Sequence, residues 1–323
     1  MIVESAFQPS RLLKNRHLQT IVPNVLFKRA RPPLRRERLE LPDGDFVDVD
    51  WTTREEGPIV IVLHGLEGSI RSHYAAGIMQ RIHDLSYRGA LIYFRGCSGE
   101  PNRLSIGYHS GFTQDLEYFT ALLKQREPGT PLAAIGYSLG GNALLKWLGE
   151  SQHASRLDTA IAVSVPFDLA DASRAIEIGL SRLYKWNLLG RMKRSMLEKF
   201  QRISAPISLP DISNIRTFRE FDDRLTAPLH GMNNADGYYR TCSSRYFLKN
   251  IRVPTLILHS RDDPFMSPAS LPRPEELSDA VTLELSRRGG HVGFVNGSLL
   301  HPNMWLLERI SRQLKLCFEQ KKS

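Results

Sequence analysis

The sequence predicts an α/β fold: a mostly parallel, doubly wound sheet with N-terminal antiparallel strands and a helical insertion late in the chain. Three observations predict it. Short, nearly continuous apolar runs recur along the chain, as strands buried on both faces of a parallel sheet do. Helix-length segments separate these runs, the alternation that covers both faces of a sheet. One interval of 87 residues, between Pro166 and Pro254, breaks the rhythm and is too long for a loop in a compact domain.

The first 35 residues are basic and punctuated by Pro9, Pro23, Pro32 and Pro33, which reads as an irregular arm with one short helix. Strands follow over 36–41 and 46–51. Between them Pro42-Asp43-Gly44-Asp45 has the residue types of a hairpin turn. Both strands alternate apolar with polar residues, as half-exposed edge strands do. The buried runs then occupy 59–63, 90–94, 132–135, 160–163, 255–258 and, more weakly, 281–285. Segments 72–88, 110–126 and 139–150 have helical length. In the long interval Leu180, Leu183, Tyr184, Leu188, Met192, Met196 and Phe200 recur at roughly helical spacing. The expected organisation is an arm over 1–35, a core over 36–167 and 251–323, and a helical lid over 168–250.

Composition narrows the setting. No stretch approaches the roughly 18 uninterrupted apolar residues that cross a bilayer. The N-terminus has neither a basic leader nor a long apolar run, so no signal peptide is expected. Cys97, Cys242 and Cys317 are an odd, widely spaced set that suits a reducing compartment, and the expected location is cytoplasmic. The net charge of +9 is regional. Residues 11–38 hold nine Lys/Arg against Glu37, and residues 182–202 hold seven against Glu198. No nucleic-acid recognition motif accompanies these cations, so no nucleic acid is expected as partner. Solvated helix faces account for them, with weak peripheral contact at an anionic membrane as the functional alternative. No obligate protein partner is implied.

The chemistry concentrates in three places. Gly136-Tyr137-Ser138-Leu139-Gly140 matches G-x-S-x-G, a short pattern that gains force from its context. It directly follows the apolar run 132–135 and directly precedes a helical segment. A turn that sharp strains its central residue, while flanking glycines let strand and helix cross. The serine oxygen is thereby projected at the tip of the sheet. A serine hydroxyl attacks only when a base removes its proton and an acid orients that base. Folds with this turn supply the partners in the order Ser, Asp/Glu, His, each on a loop after a later strand. The run 255–258 leads into Arg261-Asp262-Asp263-Pro264, and the run 281–285 leads into Gly289-Gly290-His291-Val292-Gly293. His291 is the base. Asp263, just before Pro264 at the turn after the strand, is favoured over Asp262 as the acid.

An oxyanion needs donors. The backbone N–H of Leu139 follows the nucleophile at a helix N-terminus and supplies one. The loop His64-Gly65-Leu66-Glu67-Gly68-Ser69 points to the Leu66 N–H as the second. His64 itself reads as a structural loop residue. Cys97 has no base placed beside it and reads as packing. There is no H-E-x-x-H, no cysteine pair and no Walker lysine, so no metal or cofactor is expected.

Six blocks carry a wider resemblance: Asn15-Arg16-His17-Leu18-Gln19-Thr20, His64-Gly65-Leu66-Glu67-Gly68-Ser69, Phe94-Arg95-Gly96-Cys97-Ser98-Gly99, Gly136-Tyr137-Ser138-Leu139-Gly140-Gly141-Asn142, Asp262-Asp263-Pro264-Phe265 and Gly289-Gly290-His291-Val292-Gly293-Phe294. With them the chain resembles the YheT-like hydrolases of the α/β-hydrolase superfamily (AB hydrolase family 4). That family is related to the animal ABHD proteins and the yeast medium-chain acyltransferase/esterases. The blocks run from residue 15 to 294 and so span nearly the whole chain. The resemblance implies the α/β-hydrolase fold, a charge relay on Ser138, Asp263 and His291, and cleavage of short- to medium-chain carboxylic esters, small molecules. Acyl transfer to an alcohol differs only in what replaces water in the second step. A non-catalytic, ligand-binding hydrolase fold is the alternative of another class, against which the intact triad argues.

Overall fold

The structure, a computed structural model, describes residues 1–323 except 28–30, 153–154, 298–300 and 321–323. Lys28 and Arg29 of the first basic segment therefore lie outside the described residues. Among the described residues nine strands form one sheet: β1 (Ile2–Glu4), β2 (Leu34–Glu40), β3 (Phe46–Thr52), β4 (Ile59–Leu63), β5 (Arg88–Ile92), β6 (Leu132–Tyr137), β7 (Thr159–Val163), β8 (Thr255–Ser260) and β9 (Val281–Ser286). Their spatial order is β1-β9-β8-β7-β6-β4-β5-β3-β2. Pairing is parallel from β1 through β5 and antiparallel at β3 with β5 and at β2 with β3. A small antiparallel pair, β10 (Val295–Gly297) with β11 (Pro302–Met304), stands apart.

The buried apolar runs are central strands because both their faces are covered. In β4, Ile59, Ile61 and Leu63 join the apolar layer on one face, and Val60 and Val62 join the layer on the other. Helices α2 (His73–Asp84), α3 (Gln114–Arg126) and α4 (Leu139–Ser151) fill crossovers between parallel strands.

The N-terminal region differs from its expectation in two ways. Residues 2–4 are a strand on the sheet edge beside β9, where they extend the ladder from Ile2 opposite Leu283 to Glu4 opposite Leu285. Three residues carry too little periodicity to signal a strand. Strand β3, expected to be half exposed, is buried along its whole length. Its polar positions are matched rather than solvated: Asp50 accepts from Arg36 and from the Tyr93 hydroxyl, and Asp48 accepts from Arg38. Alternation marked two chemically different faces, and ion pairing allowed both to be covered.

Helix α1 (Arg16–Leu26) starts where Asn15 Oδ1 accepts the amides of His17 and Leu18. Between β7 and β8 the chain forms α5 (Leu169–Ala175), the long α6 (Ser181–Phe200), α7 (Phe218–Phe221), a π-helical turn at Asp222–Thr226, α8 (Ala227–Leu229) and α9 (Ala235–Cys242). The final helix is α10 (Trp305–Gln320).

Candidate active site

Strand β6 hands over to α4 at Ser138, whose backbone sits at φ +52° and ψ −118°. That positive φ is strained for a residue with a side chain. Close packing imposes it. A Cβ on Gly136 would lie 2.5 Å from the Gly140 carbonyl oxygen, and one on Gly140 would strike the carbonyl oxygens of Leu63 and His64. Only glycine on both sides lets strand and helix cross this tightly.

The loop after β9 brings His291 to the same point. His291 Nε2 lies 2.9 Å from Ser138 Oγ, and His291 Nδ1 lies 2.8 Å from Asp263 Oδ2. A carboxylate accepts, so Nδ1 carries the ring proton and Nε2 is left to accept from the serine hydroxyl. The imidazole stacks on Phe265, with ring centroids 4.0 Å apart and planes within 8°. Asp263 is 2% exposed, and its second oxygen accepts the Phe265 amide at 2.9 Å. Asp262 faces elsewhere: its Oδ1 accepts the Gly290 amide at 3.0 Å, and burial pushes its carboxyl up. The two adjacent acids therefore divide their contacts, one with the His291 ring and one with the backbone of the preceding glycine.

Sequence reasoning gave the block at 15–20 no role. In the structure α1 is the back wall of the histidine loop. Gln19 is fully buried; its side chain donates to the carbonyls of Leu13 and Val295 and accepts the Val295 amide. A Cβ on Gly293 would strike the Gln19 carbonyl oxygen, and one on Gly290 would lie 2.5 Å from that of Arg16. The glycines beside His291 thus admit a helix, beyond letting the backbone turn. Nothing in the sequence of the arm marks Gln19 as buried. Phe265 was likewise missed, because a stacking partner leaves no spacing to read.

The loop after β4 lies beside the serine. Tyr74 accepts the Gly65 amide, while the Tyr108 hydroxyl accepts the Glu67 amide and donates to the Glu67 carboxylate. Among the described residues the amides of Leu66 and Leu139 donate to no protein acceptor, and both residues line the cavity that holds Ser138 and His291. His64 is fully buried: Phe94 N–H donates to its Nε2 and its Nδ1 faces the Gly65 carbonyl. Burial lowers its pKa to about 4, so it is a neutral strut. Cys97, partly buried against both apolar layers, has its thiol pushed well above the ordinary value by desolvation, which fits a packing role. Among the described residues no three His, Cys, Asp or Glu side chains cluster closely enough to hold a metal ion.

The cavity over Ser138 measures about 110 Å³ and has walls from α5, α6 and the Phe265 turn, including Leu169, Ile176, Leu188 and Met266. A second, more polar chamber of about 320 Å³ shares Leu66, Ser110, Leu139, Phe218, Asp222 and Tyr238 with it. An apolar slot at the serine thus shares a wall with a polar antechamber.

Comparison with known proteins agrees with this geometry. Residues 58–298 match the family described as alpha/beta hydrolase fold. The chain is 43% identical to the Escherichia coli (strain K12) protein named "Putative esterase YheT", over 98% of this chain and 94% of that one. It is 31% identical to a monoacylglycerol lipase of Saccharomyces cerevisiae over 81% of this chain, and spans 60% of that longer protein. The Pyrococcus furiosus esterase Pf2001 superposes with a TM-score of 0.57 over 88% of this chain and 93% of its own, at 16% identity, a likeness of fold. Among the described residues no helix is long and apolar enough to cross a membrane. With a family match over most of its length and a near full-length relative, this chain belongs to the α/β-hydrolase fold family, in the group that contains YheT.

Proposed function

We propose that this chain is a serine hydrolase that cleaves carboxylic esters of short to medium acyl chains through an acyl-enzyme. The observation that carries the reading is the unbroken contact from Asp263 through His291 to Ser138, at 2.8 and 2.9 Å. Ser138 Oγ attacks the ester carbonyl carbon while His291 Nε2 takes its proton. The amides of Leu66 and Leu139 hold the carbonyl oxygen as it gains charge. Collapse breaks the ester C–O bond, and His291 returns the proton to the departing alcohol. Water then attacks the acyl-serine by the same route, releasing the acid and restoring Ser138. Asp263 keeps the imidazole in the required tautomer and stabilises its charged form.

In this reading the apolar slot takes the acyl chain and the antechamber takes the alcohol, with the helices over 168–250 as the lid. The esterase and lipase names of the relatives support the same substrate class. The odd, widely spaced cysteine set suits a reducing compartment, and on that ground we assign the cytoplasm. The test is a series of p-nitrophenyl esters from C2 to C12. Turnover should be highest for short to medium chains and fall at the long end, the order that a small apolar slot over Ser138 favours. Turnover that climbs steadily to the longest chain contradicts the assignment of the slot.

A further inference from the structure

We propose that the outer face of α1 and the first half of α6 form a docking surface for an anionic phospholipid bilayer, from which the ester substrate is drawn. Withdrawal of an ester substrate rests on the serine-hydrolase reading, whereas the docking does not. Of the thirteen large apolar side chains exposed among the described residues, eight fall in residues 12–25 and 178–186. Leu18, Ile21 and Val25 follow one face of α1 at helical spacing, opposite the buried Gln19 and Pro23. Ile178 and Leu180 precede α6, and Leu183 and Trp186 stand on its first two turns at 65% and 78% exposure. Exposed apolar residues scattered singly need no explanation, but this concentration does.

The two helices meet. His17 of α1 stacks on Tyr184 of α6, with His17 Nδ1 3.2 Å from the Tyr184 hydroxyl. These elements also come from the two basic segments that carry the chain's positive charge. Beside Trp186 runs a groove of about 690 Å³, lined by Arg182, Lys185, Arg191, Lys193, Arg194 and Arg216 and by no acidic residue. Among the described residues only Lys185 of these six has a carboxylate at ion-pair distance, Glu177 at 2.7 Å. A groove lined by six cations and no acidic residue, beside exposed apolar side chains, matches an anionic headgroup layer over acyl chains. A polyanion such as a nucleic acid would engage the cations but leave Ile21, Val25, Leu183 and Trp186 in water.

The surface borders the site. Tyr184 packs on Phe265, which stacks on His291, and Leu188, one turn further along α6, lines the cavity holding Ser138. An ester lifted from a bilayer against this face has a short path to the serine.

The test uses the full chain carrying Ser138→Ala, so that turnover cannot alter the vesicles. Co-sedimentation with phosphatidylcholine vesicles containing a third phosphatidylglycerol is expected at low salt, and is expected to be largely lost at high salt or with phosphatidylcholine alone. The triple change Arg182→Gln, Arg194→Gln and Arg216→Gln should weaken binding by at least about tenfold. The pair Leu183→Ser and Trp186→Ser should also weaken it severalfold. In an otherwise wild-type chain, both sets should leave turnover of a small soluble ester near wild type, which reports intact folding. Absence of sedimentation at low salt overturns the proposal. So does binding that the Leu183 and Trp186 changes leave untouched, which would mark the groove as a polyanion site. If wild-type chain binds as expected but hydrolyses no ester, the docking stands and the hydrolase reading falls.

Discussion

The hydroxyl oxygen of Thr20 accepts the backbone amide of His291 at 3.0 Å, joining residues 271 positions apart in the chain. The same hydroxyl donates to the Arg16 carbonyl at 2.8 Å, so it is itself fixed within α1. The histidine loop is thus held from behind by the N-terminal helix and from below by Asp263. Thr20→Val keeps the shape but leaves the His291 amide without its acceptor, a loss of about 1–3 kcal/mol where the group is buried. We expect kcat to fall about 10- to 100-fold with KM little changed, because the loss is in alignment of the base. Thr20→Ser should restore most of the rate. Steady-state kinetics on a soluble ester checks both variants, and equal losses in the two would place the effect outside this hydrogen bond.

Asp263 and Asp262 make opposite predictions although they are neighbours. Asp263→Asn presents an amide to His291 Nδ1 and favours the wrong tautomer, which should cost on the order of 10⁴ in kcat. Asp262→Asn preserves an acceptor for the Gly290 amide, so its effect should stay within about tenfold. Kinetics of the two purified variants decides. A larger loss for Asp262→Asn contradicts the division of contacts.

The sequence made the sheet legible because parallel strands must be apolar on both faces, and runs such as Ile59–Leu63 have few other readings. The turn at Ser138 was legible because strain and glycine placement leave a fixed local pattern. What stayed hidden depends on tertiary partners. Strand β3 looked half exposed until Arg36 and Arg38 came to its aspartates. Phe265 and Gln19 act through a ring and a loop brought to them by distant segments, and no spacing along the chain encodes that.

Asp222 sits in the π-helical turn, where it lines both the slot and the antechamber. The Thr226 and Tyr239 hydroxyls each donate to it at 2.8 Å, and burial pushes its carboxyl up to about 6. The folded state therefore holds this proton more tightly than the unfolded chain does. Its ionisation costs stability as pH rises from about 4 through 6, and the cost persists above that. Asp222→Asn removes the cost, on the order of 3 kcal/mol at neutral pH. The Tm of the variant relative to wild type should climb between about pH 4.5 and pH 7.5. A difference in Tm that stays flat across this range would show that Asp222 does not carry a raised pKa.

Covalent trapping of the nucleophile decides whether Ser138 carries the chemistry. Treating the purified chain with a fluorophosphonate and mapping the adduct by peptide mass should place one label on Ser138, with loss of ester hydrolysis in proportion to labelling. Ser138→Ala should take no label and lose at least about 10³-fold in kcat, with a Tm near wild type. Hydrolysis that survives in Ser138→Ala, or a label on another residue that tracks the loss of activity, would contradict the account.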